Sequence, residues 1–228
     1  MWSGPRNLST AMMYSFGARP DCRVVDEPFY ASYLAKTGLD HPMGAEILAA
    51  QPQDADQVVR DIMGDVPEPV FYQKHMTHHM LPGVPLDWMD NVTNVFLIRH
   101  PARVIASYAR KRENPTLEDI GFLQQKALFD RCETPIVVDA ADIRDDPAGM
   151  LEKLCDAIGI TWTADMLHWP AGGHADDGVW AAHWYGAVHR STGFDGPEGD
   201  LPELEPVYEE VLAGALPIYS ALSQHKLT

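Results

Sequence analysis

The sequence predicts an α/β chain, a three-layer α/β/α sandwich around a mainly parallel central sheet. Three observations carry this. Short apolar runs rich in β-branched residues recur along the chain, at Cys22–Asp26, Val70–Lys74, Val92–Ile98 and Pro135–Asp139. Segments of helical period separate them. Charged residues stand just past the ends of three of the runs (Asp26-Glu27, Lys74-His75 and Arg99), where parallel sheets bind their ligands.

Ser3-Gly4-Pro5-Arg6-Asn7-Leu8-Ser9-Thr10 reads as an anion-binding loop entering a helix, Ala11–Phe16. Gly4 frees the backbone to turn, Arg6 supplies a fixed positive charge, and Ser9 and Thr10 offer hydroxyls and an N-cap. Free N–H groups at a helix start attract anions. The loop lacks the Gly-Lys-Ser/Thr ending of a Walker A motif, which argues against ordinary ATP or GTP hydrolysis. Only Met1 and Trp2 precede it, so the first strand is expected to be very short or truncated.

The strand Cys22–Asp26 follows. A helix over Ala55–Met63 places Val58, Val59 and Ile62 on one side. After the strand Val70–Lys74 comes Val92–Ile98, the clearest buried strand, stopped at Arg99-His100-Pro101. Pro101 suits a first helical turn, and a helix over Ala102–Arg112 follows. A second helix is expected over Thr116–Cys132, then the strand Pro135–Asp139. Asp146-Pro147 opens the helix Ala148–Ile158, and Gly159 stops it. With no internal repeat or low-complexity linker, residues 1–228 read as one domain whose part from about 160 is helical.

A hydrophobic content of 46% is ample for a core. Cys22, Cys132 and Cys155 are widely spaced and odd in number, which points to a reducing cytoplasm rather than a disulfide framework or zinc site. No run of about 18 apolar residues predicts a membrane span. The net charge is −16, but residues 1–112 hold 11 Lys and Arg against 12 Asp and Glu, whereas residues 113–228 hold 6 against 21. Arg99–Arg112 holds five basic residues and no acid. A local cationic patch in an acidic chain suits a small anionic ligand, not a nucleic acid. The acidic stretch after residue 195, including Glu198, reads as a solvated surface.

Four segments, in order over residues 3–194, resemble the sulfotransferase superfamily with a P-loop NTPase-like fold, whose donor is 3′-phosphoadenosine-5′-phosphosulfate (PAPS). Ser3–Thr10 is similar to the loop that holds the 5′-phosphosulfate, with Arg6 where the cytosolic branch usually has Lys. Arg99-His-Pro-Ala-Arg-Val-Ile-Ala-Ser107 resembles the strand-to-helix segment that grips the 3′-phosphate, with Arg and Ser eight residues apart. Val138–Pro147, followed by Leu151, Leu154 and Gly159-Ile160, resembles the family's strand and following helix. Trp184–Phe194, which contains Arg190, resembles a distal segment of a bacterial branch that closes over the cofactor. The chain lacks a Gly-x-x-Gly-x-x-Lys segment near its C-terminus. The resemblance implies sulfuryl transfer from PAPS to a hydroxyl or amine of a small molecule, without a metal. It leaves the acceptor and the oligomeric state open.

Such a transfer needs cations against the leaving phosphate and a base for the acceptor's proton. Arg6, Lys74 and the loop amides suit the first task. Glu27 and His75 compete for the second, with Glu27 preferred narrowly. The bland alternatives are Glu27 paired with Arg6, and Lys74-His75 as a solvated strand end. His75, His78 and His79 have no acidic or cysteine partner nearby in sequence, so no metal is expected. Trp180, His183, Trp184 and Tyr185 form an aromatic cluster read first as core packing, with stacking on adenine or lining an acceptor pocket as the alternative, and the Gly-rich loop around His174 is a candidate lid. The competing functions are a P-loop phosphotransferase and a non-catalytic nucleotide- or anion-binding protein of the same fold.

Overall fold

The computed structural model describes residues 1–110 and 115–228. Among these, five strands form one parallel sheet: β1 (Trp2–Ser3), β2 (Cys22–Asp26), β3 (Val70–Met76), β4 (Val95–Ile98) and β5 (Ile136–Asp139), in the order β2-β3-β1-β4-β5. The shortest strand is the central one. Trp2 registers with His75 on one side and Phe96 on the other. The first strand is therefore a true member of the sheet, and the loop after it leaves from the middle of the molecule.

The helices are α1 (Ser9–Gly17), α2 (Tyr30–Thr37), α3 (Gly44–Ala50), α4 (Ala55–Ile62), α5 (Pro101–Ala109), α6 (Phe122–Arg131), α7 (Ala140–Asp145), α8 (Pro147–Ile158), α9 (Ala181–Trp184) and α10 (Glu209–Ser223). Strand side chains alternate between faces, and this alternation sorts the core. Leu97 and Val138 pack with Met12, Met13 and Phe16 of α1 and with Leu151 and Leu154 of α8. Phe96, Ile98 and Val137 pack with Val58 and Ile62 of α4, Leu128 of α6 and Leu222 of α10. The result is the three-layer sandwich. A further cluster of Tyr30, Leu34, Ile47, Trp180 and Tyr185 joins α2, α3 and α9.

Several boundaries differ from the sequence pattern, each for a local reason. Helix α1 begins at Ser9, and its N-cap position is Leu8, at φ 76° with no side-chain cap. Ser9 and Thr10 therefore lie inside the helix rather than capping it. The helix expected from Thr116 begins only at Phe122. Thr116 and Asp119 instead close a turn through their side chains, and Gly121 sits at φ +73°, which breaks the helical path. Helix α5 ends at Ala109, and Lys111 and Arg112 of the basic run lie outside the described residues. Helix α7 was not expected; Asp139 caps it by accepting from the Ala141 N–H at 2.9 Å. From 160 to 208 the chain forms loops and short helical turns, and α10 is the long helix of the C-terminal part.

Cys22, Cys132 and Cys155 are free thiols. Among the described residues no helix is long and apolar enough to cross a membrane.

Candidate active site

The parallel register brings the carboxyl ends of the strands together. Asp26 of β2 registers with Lys74 of β3, Ser3 of β1 with Met76, and Ile98 of β4 with Asp139 of β5. One cleft of about 400 Å³ opens over these ends. Pro5, Arg6, Asn7, Leu8, Ser9 and Thr10 line it together with Glu27, Lys74, Arg99 and Ser107. Ser3 and Gly4 lie buried behind the loop.

The loop holds an uncommon backbone. Arg6 and Leu8 have φ of 65° and 76°, left-handed values that residues with a Cβ rarely adopt. Such strain persists only where surrounding bonds enforce it. Here Arg99 donates to the Arg6 carbonyl at 2.6 Å, and buried Asn7 donates to the Leu97 carbonyl at 3.4 Å. Gly4 is not among the positive-φ residues, so turning freedom is not its role. A Cβ there would run into the carbonyl oxygen of Ile120, so close backbone approach requires glycine. Gly4→Ala is expected to cost about 1–3 kcal/mol through this overlap. Urea denaturation checks it, and a wild-type midpoint would show that the Ile120 segment yields freely.

Lys74 is the most buried cation of the site, at 1% relative exposure. Its Nζ donates to Asp26 Oδ1 at 2.7 Å, Glu27 Oε1 at 2.5 Å and the Tyr185 hydroxyl at 2.6 Å. Trp180 Nε1 donates to the same hydroxyl at 3.0 Å, and that hydroxyl lies 2.8 Å from Asp26 Oδ2. Burial works against the Lys74 charge, but Asp26 and Glu27 outweigh it and hold its pKa above the usual value. Burial raises the Glu27 pKa, with Asp26 adding to the rise and Lys74 opposing it. Glu27 itself stands at φ 41°, fixed by its N–H to the Lys74 carbonyl (2.9 Å) and by Gln51 on its own carbonyl (3.2 Å). Lys74 is thus a buried network centre and not a solvated strand end, and Glu27 pairs with Lys74, not Arg6.

Strand alternation sends His75 to the opposite face. Its ring stacks on Trp2 at 4.6 Å, its Nε2 meets Gln73 Oε1 at 3.1 Å, and it does not line the cleft. The structure therefore removes His75 from contact with a ligand in the cleft. His78 and His79 turn the other way from His75. They line the cleft beside Tyr30, which stacks on His79 at 4.6 Å.

At the far end, Arg6 Nε donates to Ser107 Oγ at 3.0 Å, joining the loop to α5. Burial, then Arg99 and Arg110, lowers the Arg6 pKa, the mark of a crowded cationic corner. Arg190 is exposed and does not line the cleft. The candidate lid around His174 is pinned. Asp177 accepts from Tyr14 (2.5 Å) and from the His174 N–H (3.0 Å), and Gly178 donates to Asp26 at 3.2 Å.

Sequence reasoning missed two members of this cleft and one residue packed beside it. Tyr185 was read as core packing, yet its hydroxyl completes the Lys74 network. Arg144 on α7 lines the cleft, and Glu198 is buried against arginines rather than solvated. The only signal for Tyr185 was its place in the Trp184–Phe194 segment.

A parallel sheet with a short central strand, a left-handed loop feeding a helix and a cationic cleft at the strand ends define an α/β fold of the P-loop type. The family model described as a sulfotransferase domain matches residues 1–226, and the chain belongs to that family. Two solved structures share the fold. They are the sulfotransferase domain from the curacin biosynthetic pathway (TM-score 0.57, 15% identity, 97% of this chain and 95% of that one) and that of the Synechococcus PCC 7002 olefin synthase (0.56, 17%, 93% and 92%). Among curated proteins, the chain is 38% and 36% identical over 230 residues to branched-chain-amino-acid aminotransferase-like proteins 1 and 2 of Arabidopsis thaliana, covering 98% of this chain. The chain spans about two fifths (41%) of the length of those relatives.

Proposed function

We propose that the chain transfers a sulfuryl group from PAPS to a hydroxyl or amine of a small molecule. The observation that carries this reading is the shared cleft, where Arg6, Lys74 and Glu27 meet the same space as Arg99 and Ser107. The fit to such a donor rests on features of this chain. The N-terminus of α1 has no side-chain cap to compete for its N–H groups, and Arg99 Nε is buried without a partner. Bound here, PAPS supplies an electrophilic sulfuryl group on a 5′-phosphate that departs as the acceptor attacks.

In this reading Arg6 and the loop N–H groups face the 5′ end, where negative charge grows, and hold it without reorganising. Arg99 and Ser107 face the 3′-phosphate. Glu27 takes the acceptor's proton at a carboxylate that burial makes more basic than usual. Lys74 and Tyr185 fix the direction of that carboxylate. Tyr30, His41, His78 and His79 line the rest of the cleft and offer an aromatic wall to the acceptor's body.

Arg99→Ala is expected to weaken 3′-phosphoadenosine 5′-phosphate (PAP) by about 10- to 100-fold, from loss of charge-assisted bonds. Adenosine 5′-monophosphate (AMP) should lose clearly less, only what the Arg99 bond to the Arg6 carbonyl gives the loop. Calorimetric titration reads both. An equal loss for the two nucleotides would move Arg99 away from the 3′ end.

A further inference from the structure

The cationic corner already holds an anion from the chain's own C-terminal part. Glu198 has a side-chain exposure of only 4%. Its carboxylate meets Arg99 through Oε1, Arg144 NH1 at 3.2 Å and Arg103 Nε at 3.0 Å. Backbone bonds hold the same segment. Arg103 NH1 donates to the Glu198 carbonyl at 3.1 Å, Arg103 NH2 to the Gly199 carbonyl, and Arg144 Nε to the Gly196 carbonyl at 2.9 Å.

The charges do not balance. Among the described residues, three guanidinium groups converge on one carboxylate, and the other acid within range, Asp195, is largely exposed and 4.0 Å from Arg144. Arg99 Nε stays buried without a partner. Three arginines around one seat suit a dianionic phosphate, with its three free oxygens, better than a carboxylate with two. Arg99 and Arg144 also line the cleft, so this seat and the cleft are continuous.

We infer that Glu198 is an internal stand-in for the donor's 3′-phosphate and sets how strongly the chain distinguishes a 3′,5′-bisphosphate from a 5′-monophosphate. The inference rests on the nucleotide reading above. Binding of the bisphosphate displaces Glu198 from the three arginines and inserts a phosphate in its place. The monophosphate leaves Glu198 seated. Part of the bisphosphate's binding energy is therefore spent on expelling the carboxylate.

Calorimetric titration of the full chain with PAP and with AMP tests this in wild type, Glu198→Gln and Arg103→Gln. Glu198→Gln should tighten PAP by about ten-fold or more while AMP stays within about two-fold. Arg103→Gln supplies a second variant. Arg103 is one of the three cations that the inserted phosphate meets, so its loss should weaken PAP, while AMP, which leaves Glu198 seated, stays within about two-fold. A general field effect gives a different pattern, with both nucleotides moving together: each tightened by Glu198→Gln and each weakened by Arg103→Gln. That pattern, or an unchanged PAP/AMP ratio in both variants, overturns the role of Glu198 while the nucleotide reading stands. Absence of PAP binding in all three chains overturns both.

Discussion

Lys74→Met is expected to destabilise the chain by about 3–5 kcal/mol, because it leaves Asp26 and Glu27 buried with no compensating cation. Both carboxylates are nearly inaccessible, with side-chain exposures of 1% and 9%. At this chain length the loss corresponds to a fall in Tm of roughly 6–20 °C. The pH dependence separates charge loss from lost packing. The folded-state pKa of Glu27 is already raised by burial, and Lys74 is what opposes the rise. Without Lys74 the Glu27 pKa climbs further above its unfolded value. Stability from the protonated form is then fully present below the unfolded pKa and is lost as pH rises through the folded one. The deficit of Lys74→Met should therefore be smaller near pH 5 than near pH 8. Thermal melts across that range check it, and a pH-independent deficit would point to packing alone.

Glu27→Gln carries the largest expected effect on turnover. Removing a positioned general base costs about 10²–10⁴ in kcat. The substitution keeps the shape of the side chain and leaves the loop and Arg99 untouched, so PAP affinity should change little. With Glu27 as the proposed base, wild-type kcat/KM should rise with pH through an apparent pKa above the ordinary carboxylate value, because a carboxyl accepts a proton only when ionised. The variant should lose that limb. Retention of the limb in Glu27→Gln would assign the titration to another group. Retention of wild-type kcat would remove Glu27 from the chemistry.

The sheet was legible because its strands are short apolar runs, and in β4 and β5 both faces are buried. Leu97 and Phe96 serve opposite layers, so the run reads as continuous apolar sequence rather than alternation. β1 was harder to read. Two residues show no period, and only the loop after them suggested a strand before them. The start of α6 was misread because Thr116–Ile120 has helical composition, while the break at Gly121 comes from its position and φ, not its neighbours.

Within the site, residues near strand ends were legible because a parallel sheet gathers those ends. Glu27, Lys74 and Arg99 were singled out that way and Arg6 by its loop; the same rule singled out His75, which shares a strand end with Lys74 and faces the other layer. Telling them apart required the register of β3. Tyr185 lies 111 positions from Lys74, and Glu198 lies 99 from Arg99. Contacts at such separations leave no local pattern. Glu198 sits in an acidic stretch where composition suggests only solvation.

In the proposed function, the cleft lined by Pro5–Thr10, Arg99 and Ser107 binds a 3′,5′-bisphosphorylated adenosine. Calorimetric titration of the wild-type chain with PAP tests it most directly. The expected result is saturable heat with one PAP per chain, abolished in Arg6→Ala/Arg99→Ala. Absence of heat at high micromolar protein and nucleotide, or equal binding by that double variant, would contradict it.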